Sequence, residues 1–265
     1  MINNLLAQKN IITPVAIKST AKPVSLGEAF KPKQAGQKKS HIVFVLDDSG
    51  SMQSCRDQTI EGFNEYLKAQ KLDSANTGIE TFVSLYKFDG WNVNCVYDHT
   101  AVADAALLDR ESYNPQGGTN LLDAMGGVMM KINEQLSVNK KKDRESVIIT
   151  ILTDGEENQS RSFRNEDIKA MVEKAEGKNW GFMFLGANIN AFAAGSAMGF
   201  NTHNTMQFNT SNAAETIRSA SAMTSRMRSA YATGAYSGHE GTAALYSVTA
   251  FTEQERNLAV GKDDE

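Results

Sequence analysis

Proline is scarce in this chain of 265 residues: there are four, and Pro14, Pro23 and Pro32 fall in the first 40 residues, leaving only Pro115 to interrupt the rest. Beyond residue 40 almost nothing forbids long regular elements. Cysteine is scarcer still, with Cys55 and Cys95 alone, which excludes a disulfide framework or a thiolate metal cluster and reads as two reduced thiols. The four histidines, His41, His99, His203 and His239, share no metal-ligand spacing and read as separate structural residues. No apolar run approaches the length of a membrane span, and no basic segment followed by an apolar one opens the chain. The expectation is a cytoplasmic protein with no membrane partner. Nor is either sign of charge in excess: 27 Lys and Arg face 31 Asp and Glu, for a net charge of −4. Nucleic-acid binding therefore has no general electrostatic basis.

What is present is ordinary globular composition, 41% hydrophobic and 22% charged, with enough length for a large core. Residues 1–40 stand apart. Lys9, Lys18, Lys22, Lys31, Lys33, Lys38 and Lys39 face the single acid Glu28, and the prolines prevent a long helix. This reads as a basic N-terminal arm, the one place where a nucleic acid or acidic partner would find local charge. A leader packed along the domain is the blander reading.

The chain is organised around residues 41–52, HIVFVLDDSGSM. Ile42 to Leu46 is apolar without alternation, as in a strand covered on both faces of a largely parallel sheet. Such strands end in the crevice where α/β proteins place ligands. Asp47, Ser49 and Ser51 follow at alternate positions, so an extended loop turns their oxygens the same way. An all-oxygen set suits a hard cation such as Mg²⁺. Two later stretches add to it. Gly117 and Gly118 give a backbone able to approach closely, with Thr119 presented before a helical pattern. A second apolar run, Val147 to Leu152, leads to Asp154 in LTDG. Taken singly, each of these residues is equally a cap or turn residue.

Around this frame, 54–70 reads as a helix with Ile60, Phe63 and Leu67 inward. Residues 80–88 and 92–97 form a hairpin about Asp89-Gly90. Leu121 to Leu136 is a long amphipathic helix. Asn165 caps a helix carrying Ile168 and Val172, Trp180 to Leu185 is a buried strand, and Asn190 to Met198 is a short helix. Thr205 to Phe208 is a last strand, and Asn212 with Glu215 caps a longer helix. From residue 233 the pattern weakens, leaving a capping box at Thr252 and Glu255 for one short helix.

The set Asp47, Ser49, Ser51, then Thr119 in a GGT loop, then Asp154 in LTDG resembles the von Willebrand factor A family and its metal-ion-dependent adhesion site. All five motif positions are filled in order. LTDGEEN and the FLGAN stretch at 184–188 are most similar to cytoplasmic bacterial and bacteriophage members. The resemblance implies a Rossmann-like three-layer α/β sandwich, with a mostly parallel sheet, one antiparallel edge strand and helices on both faces. It implies that Ser49, Ser51 and Thr119 ligate Mg²⁺, with Mn²⁺ or Ca²⁺ as alternatives, while Asp47 and Asp154 act directly or through water. It further implies a protein partner whose Asp or Glu carboxylate completes the ion. The expected organisation is an arm over 1–40, the domain over 41–232 and a C-terminal extension over 233–265, with 41–231 folding without either end. A virion or assembly component using the same docking block is a second reading. A haloacid-dehalogenase-like phosphohydrolase would need an acid/base aspartate where Ser49 stands, so no catalysis is expected.

Overall fold

The computed structural model describes residues 38–138, 145–234 and 238–261. Residues 1–37 of the arm expected over 1–40 lie outside the described residues, as do 139–144, 235–237 and 262–265, while Lys39 and Ser40, counted in that arm, begin the first strand. Three strands carry the unbroken apolar runs: β1 (Lys39–Asp47), β4 (Ser146–Thr153) and β5 (Trp180–Ala187), buried throughout except at Lys39. Strands of this composition need cover on both faces, and they occupy the middle of the sheet. With β2 (Glu80–Phe88), β3 (Val93–Ala101) and β6 (Thr205–Phe208) the order is β3-β2-β1-β4-β5-β6. All neighbours are parallel except β3, which runs antiparallel to β2 as the edge strand. The hairpin between them is closed by Asp89, whose Oδ1 accepts the backbone N–H of Trp91 at 2.7 Å and of Asn92 at 2.8 Å.

Successive β1 side chains feed two cores, as the two-residue period of a strand requires. Ile42, Phe44 and Leu46 meet Phe63, Tyr66 and Leu67 of α1 (Arg56–Thr77) and Ile217, Met223 and Met227 of α5 (Ala213–Ala232). Val43 and Val45 belong to the other core, with Met125, Val128 and Ile132 of α2 (Leu121–Ser137), Ile168 and Val172 of α3 (Asn165–Glu176) and Ala191 of α4 (Ala191–Ala197). The result is the three-layer α/β sandwich expected from the motif. Helices α1 and α5 are also clasped by the buried Arg228, which donates to Gln70 Oε1 at 2.9 Å, to Asp73 Oδ2 at 2.6 Å and to Thr81 Oγ1.

Local expectations fail in three places. Asn165 is the first helical residue rather than the cap: Arg164 precedes the helix, and its N–H donates to Asp167 Oδ2 at 2.9 Å. Asn212 precedes α5 but its side chain does not cap it, because its amide donates to Leu258 O at 3.0 Å, while Glu215 pairs with Arg218. The C-terminal stretch forms two helices instead of one, α6 (Gly238–Thr249) and α7 (Glu253–Val260). Leu245, Tyr246, Phe251 and Ala259 are buried in the first core. Arg256 donates to the carbonyls of Thr202, His203 and Thr205, tying α7 to the strand β6 region. Small and polar residues hid this from pattern reading, because the few large apolar positions among them do not recur at helical spacing. The capping box at Thr252 and Glu255 is formed as expected, with N–H donations of 3.1 and 2.7 Å.

Candidate metal centre

Asp47 and Asp154 stand at the C-terminal ends of neighbouring parallel strands, β1 and β4, where the backbone must leave the sheet. The β1 chain continues through Ser49 in extended conformation into a 3-10 turn over Gly50–Cys55. The GGT loop lies against this segment: Gly50 N–H donates to Gly117 O at 3.0 Å and Gln116 N–H to Asp48 O at 2.6 Å. Gly117 adopts φ +86°, a conformation that favours glycine. From the opposite side, Thr119 O accepts the N–H groups of Asn158 and Gln159, and Asn158 Oδ1 accepts the Thr119 N–H at 3.2 Å. Three loops distant in sequence are thus held together by backbone hydrogen bonds, and the side chains follow.

Ser51 Oγ donates to Asp154 Oδ1 at 2.6 Å and lies 3.1 Å from Ser49 Oγ. A Cβ added to Gly155 would sit 3.1 Å from Thr119 Oγ1 and 3.6 Å from Ser51 Oγ, so both hydroxyls face one small space. Asp154 Oδ2 is buried and has no hydrogen-bond partner. Asp47 is held differently: Oδ1 accepts the Ser49 N–H at 2.8 Å and Oδ2 the Thr153 hydroxyl, while Tyr113 donates to its carbonyl at 2.7 Å. The structure therefore brings Ser49, Ser51, Thr119 and Asp154 to one face, with Asp47 as a fixed carboxylate behind them. Asp48 points away, paired with Lys87 at 2.8 Å.

Burial raises both acids. It pushes Asp47 up to about 6, with the Thr153 and Ser49 hydrogen bonds pulling the other way, and it raises Asp154 against the Ser51 hydrogen bond. Two desolvated carboxylates, one of them with an unpartnered oxygen, and three neutral hydroxyls form a set that a hard divalent cation fits, since the cation would offset the burial cost of the charges.

Several supporting residues escaped the sequence. Thr153 read only as the end of a strand, and nothing marked Tyr113 or Asn158. Glu157, just past Asp154, accepts the N–H groups of Leu122, Gln159 and Ser160 at 2.9, 2.9 and 2.7 Å. Asp123 accepts those of Arg161, Ser162 and Phe163. The unpaired N–H groups at the start of α2 make Glu157 a loop fastener. Its neighbour Glu156 is exposed.

No known family profile matches the sequence, and no curated protein does. Among solved structures, proximal thread matrix protein 1 from the mussel byssus, in a form with a zinc-occupied metal-ion-dependent adhesion site, is similar at 12% identity and TM-score 0.50. The match covers 70% of this chain and 47% of that one, so this chain spans about half the length of the mussel protein. The von Willebrand factor domain of the type V pilus tip protein Mfa5 from Porphyromonas gingivalis matches at 9% identity and TM-score 0.49, over 69% of this chain and 94% of that one. Manganese-loaded TRAP protein of Plasmodium vivax matches at 16% identity and TM-score 0.46, over 68% and 72%. At these identities the likeness concerns the fold: the chain has a von Willebrand factor A-like α/β fold.

Proposed function

We propose that this chain is a non-catalytic, Mg²⁺-dependent protein-binding module, with the ion held by Asp47, Ser49, Ser51, Thr119 and Asp154. The observation that carries the reading is Asp154 Oδ2, buried without a partner beside the paired hydroxyls of Ser49 and Ser51. When bound, the cation supplies a Lewis-acidic centre that accepts an anionic oxygen from outside the chain. The hydroxyls contribute oxygen without charge, so this chain brings two carboxylates and leaves room for a third. A partner's Asp or Glu fits that role. Thr153 and the Ser49 backbone hold Asp47 in place, and the Gly117 and Asn158 contacts hold Thr119.

The same geometry argues against phosphoryl transfer. Both oxygens of Asp47 already accept hydrogen bonds, and Asp48, the adjacent acid, is paired with Lys87. We place the module in a reducing cytoplasm because its two cysteines, one buried and one exposed, are unpaired. The test is capture from lysate of the native host with Mg²⁺, with EDTA and with the Asp47→Ala chain, read by mass spectrometry. A protein retained only with Mg²⁺ and intact Asp47 is the expected result. Retention indifferent to both overturns the proposal.

A further inference from the structure

At the other end of β1, some six residues and roughly 20 Å from Asp47 at about 3.3 Å per residue, three side chains converge that have no sequence proximity. His41 is on β1, His99 on the edge strand β3, and Glu145 immediately precedes β4. Their ligand atoms lie within 4.8 Å of one another. His99 Nε2 is 2.7 Å from Glu145 Oε1, and His41 Nδ1 is 3.9 Å from the same oxygen. We propose that His41, His99 and Glu145 form a second metal site, separate from the strand-end cluster, that takes Zn²⁺ or a similar borderline divalent cation through two imidazoles and one carboxylate.

The hydrogen bonding around His41 fixes which of its nitrogens is available. Ser84 Oγ accepts the backbone N–H of His99 at 2.8 Å and donates its own proton to Asp98 Oδ1 at 3.2 Å. Its contact of 2.8 Å with His41 Nε2 is therefore an Nε2–H donation, since the hydroxyl has no second proton to give. That leaves the lone pair on Nδ1. His41 is fully buried, and Nδ1 has no hydrogen-bond partner. A lone pair and a carboxylate oxygen thus face each other inside the protein with no proton between them. Glu145 Oε1 already meets His99 Nε2 at hydrogen-bond distance, whereas the Nδ1 lone pair of His41 meets no proton; a cation that displaces the His99 proton would satisfy all three atoms. Burial lowers the proton affinity of His41, whereas the Glu145 hydrogen bond raises that of His99, so cation binding releases the His99 Nε2 proton.

The outer contacts match those of a metal ligand, which commonly donates its second ring N–H to an anchored acceptor. His41 donates to Ser84, and Ser84 to Asp98, whose carboxylate is further fixed by Tyr86, Gln135 and Lys131 at 2.9, 2.7 and 2.9 Å. His99 is aimed by an irregularity in the hairpin: the β2–β3 register shifts around Leu85, and His99 takes φ +44°, rare for a residue with a side chain. Its ring stacks on Phe82 with centroids 4.1 Å apart. Tetrahedral zinc at about 2.0–2.2 Å from N and O ligands spaces those ligands about 3.4 Å apart. The separations from Glu145 Oε1, 2.7 and 3.9 Å, lie on either side of that value, and all three ligand atoms lie within 4.8 Å of one another. His99, whose side chain is 38% exposed, provides the way in and leaves a fourth position to water.

The experiment is a Zn²⁺ titration of the full Asp47→Ala chain, which lacks the strand-end site, followed through imidazole ¹⁵N resonances. With four histidines in the chain, each ring can be followed. One equivalent should move the rings of His41 and His99, through Nδ1 and Nε2 respectively, and leave His203 and His239 unmoved. His99→Asn, which tolerates the left-handed backbone, and Glu145→Gln should each raise the Zn²⁺ dissociation constant at least 100-fold. Ser84→Ala should raise it about 10–100-fold. Circular dichroism confirms that each variant is folded, and wild-type chain titrated in excess Mg²⁺ repeats the reading without any substitution. No ring shift, shifts confined to His203 or His239, or an unchanged constant in His99→Asn overturns the site.

Discussion

Stopping the chain after Gly234 should destroy the fold, although residues 39–231 contain every strand among the described residues and every residue of the strand-end cluster. The deletion removes Leu245, Tyr246 and Phe251, each nearly fully buried in the core shared by α1, α5 and the sheet, together with Ala259. At about 1.5–3 kcal/mol for each large side chain, the three contribute about 5–9 kcal/mol. That is comparable with the whole stability of a typical domain, about 5–15 kcal/mol. Polar contacts disappear as well: Arg226 loses Glu255, Tyr246 leaves Glu176, and the carbonyls of Thr202, His203 and Thr205 lose the Arg256 guanidinium. The assay is urea unfolding of full-length and 1–234 chains, followed by the fluorescence of Trp180, buried on β5, and by circular dichroism. Phe251→Ala provides the graded control, expected to cost about 3–5 kcal/mol. A cooperative transition of the truncated chain at the full-length midpoint would refute the reasoning and restore the C-terminal segment to the status of an appendage.

Three further outcomes follow from the same contacts. Mg²⁺ at 100 times its dissociation constant should stabilise the wild-type chain by about 2.7 kcal/mol, and Asp154→Ala should abolish that gain in thermal unfolding with and without EDTA; an equal gain in the variant would count against the cation set. Gly155→Ala, whose methyl group would sit 3.1 Å from Thr119 Oγ1, should weaken Mn²⁺ binding at least tenfold in calorimetry while leaving the unfolding midpoint nearly unchanged. Arg228→Met should lower stability by about 3 kcal/mol, because Gln70, Asp73 and Thr81 are left without their buried donor; a neutral result in chemical denaturation would show that the clasp is dispensable.

The central layer was legible because its strands are continuous apolar runs. Ile42 to Leu46, Val147 to Leu152 and Trp180 to Leu185 have no polar alternation, and only a position covered on both faces tolerates that. The motif was legible for a related reason: Asp47, Ser49 and Ser51 are spaced by a local rule of extended backbone, and Thr119 and Asp154 each follow a recognisable punctuation. Capping was less legible. Asn165 and Asn212 have suitable side chains, yet Asp167 and Leu258 determine what the backbone and the amide do there.

Local chemistry therefore determined which segments are strands, which faces of the helices are apolar, and which oxygens can stand at the strand ends, since each depends on residues within a turn or two of one another. Tertiary structure decided the rest. Glu157 became a fastener only because α2 presents unpaired N–H groups 35 residues away in sequence. Helices α6 and α7 became core through Leu245, Tyr246 and Ala259, apolar positions set among small and polar residues that carry little periodic contrast. His41, His99 and Glu145 meet only because β2 and β4 flank β1 and an irregular hairpin turns His99 inward, a placement set by strand order and register that no spacing along the chain encodes.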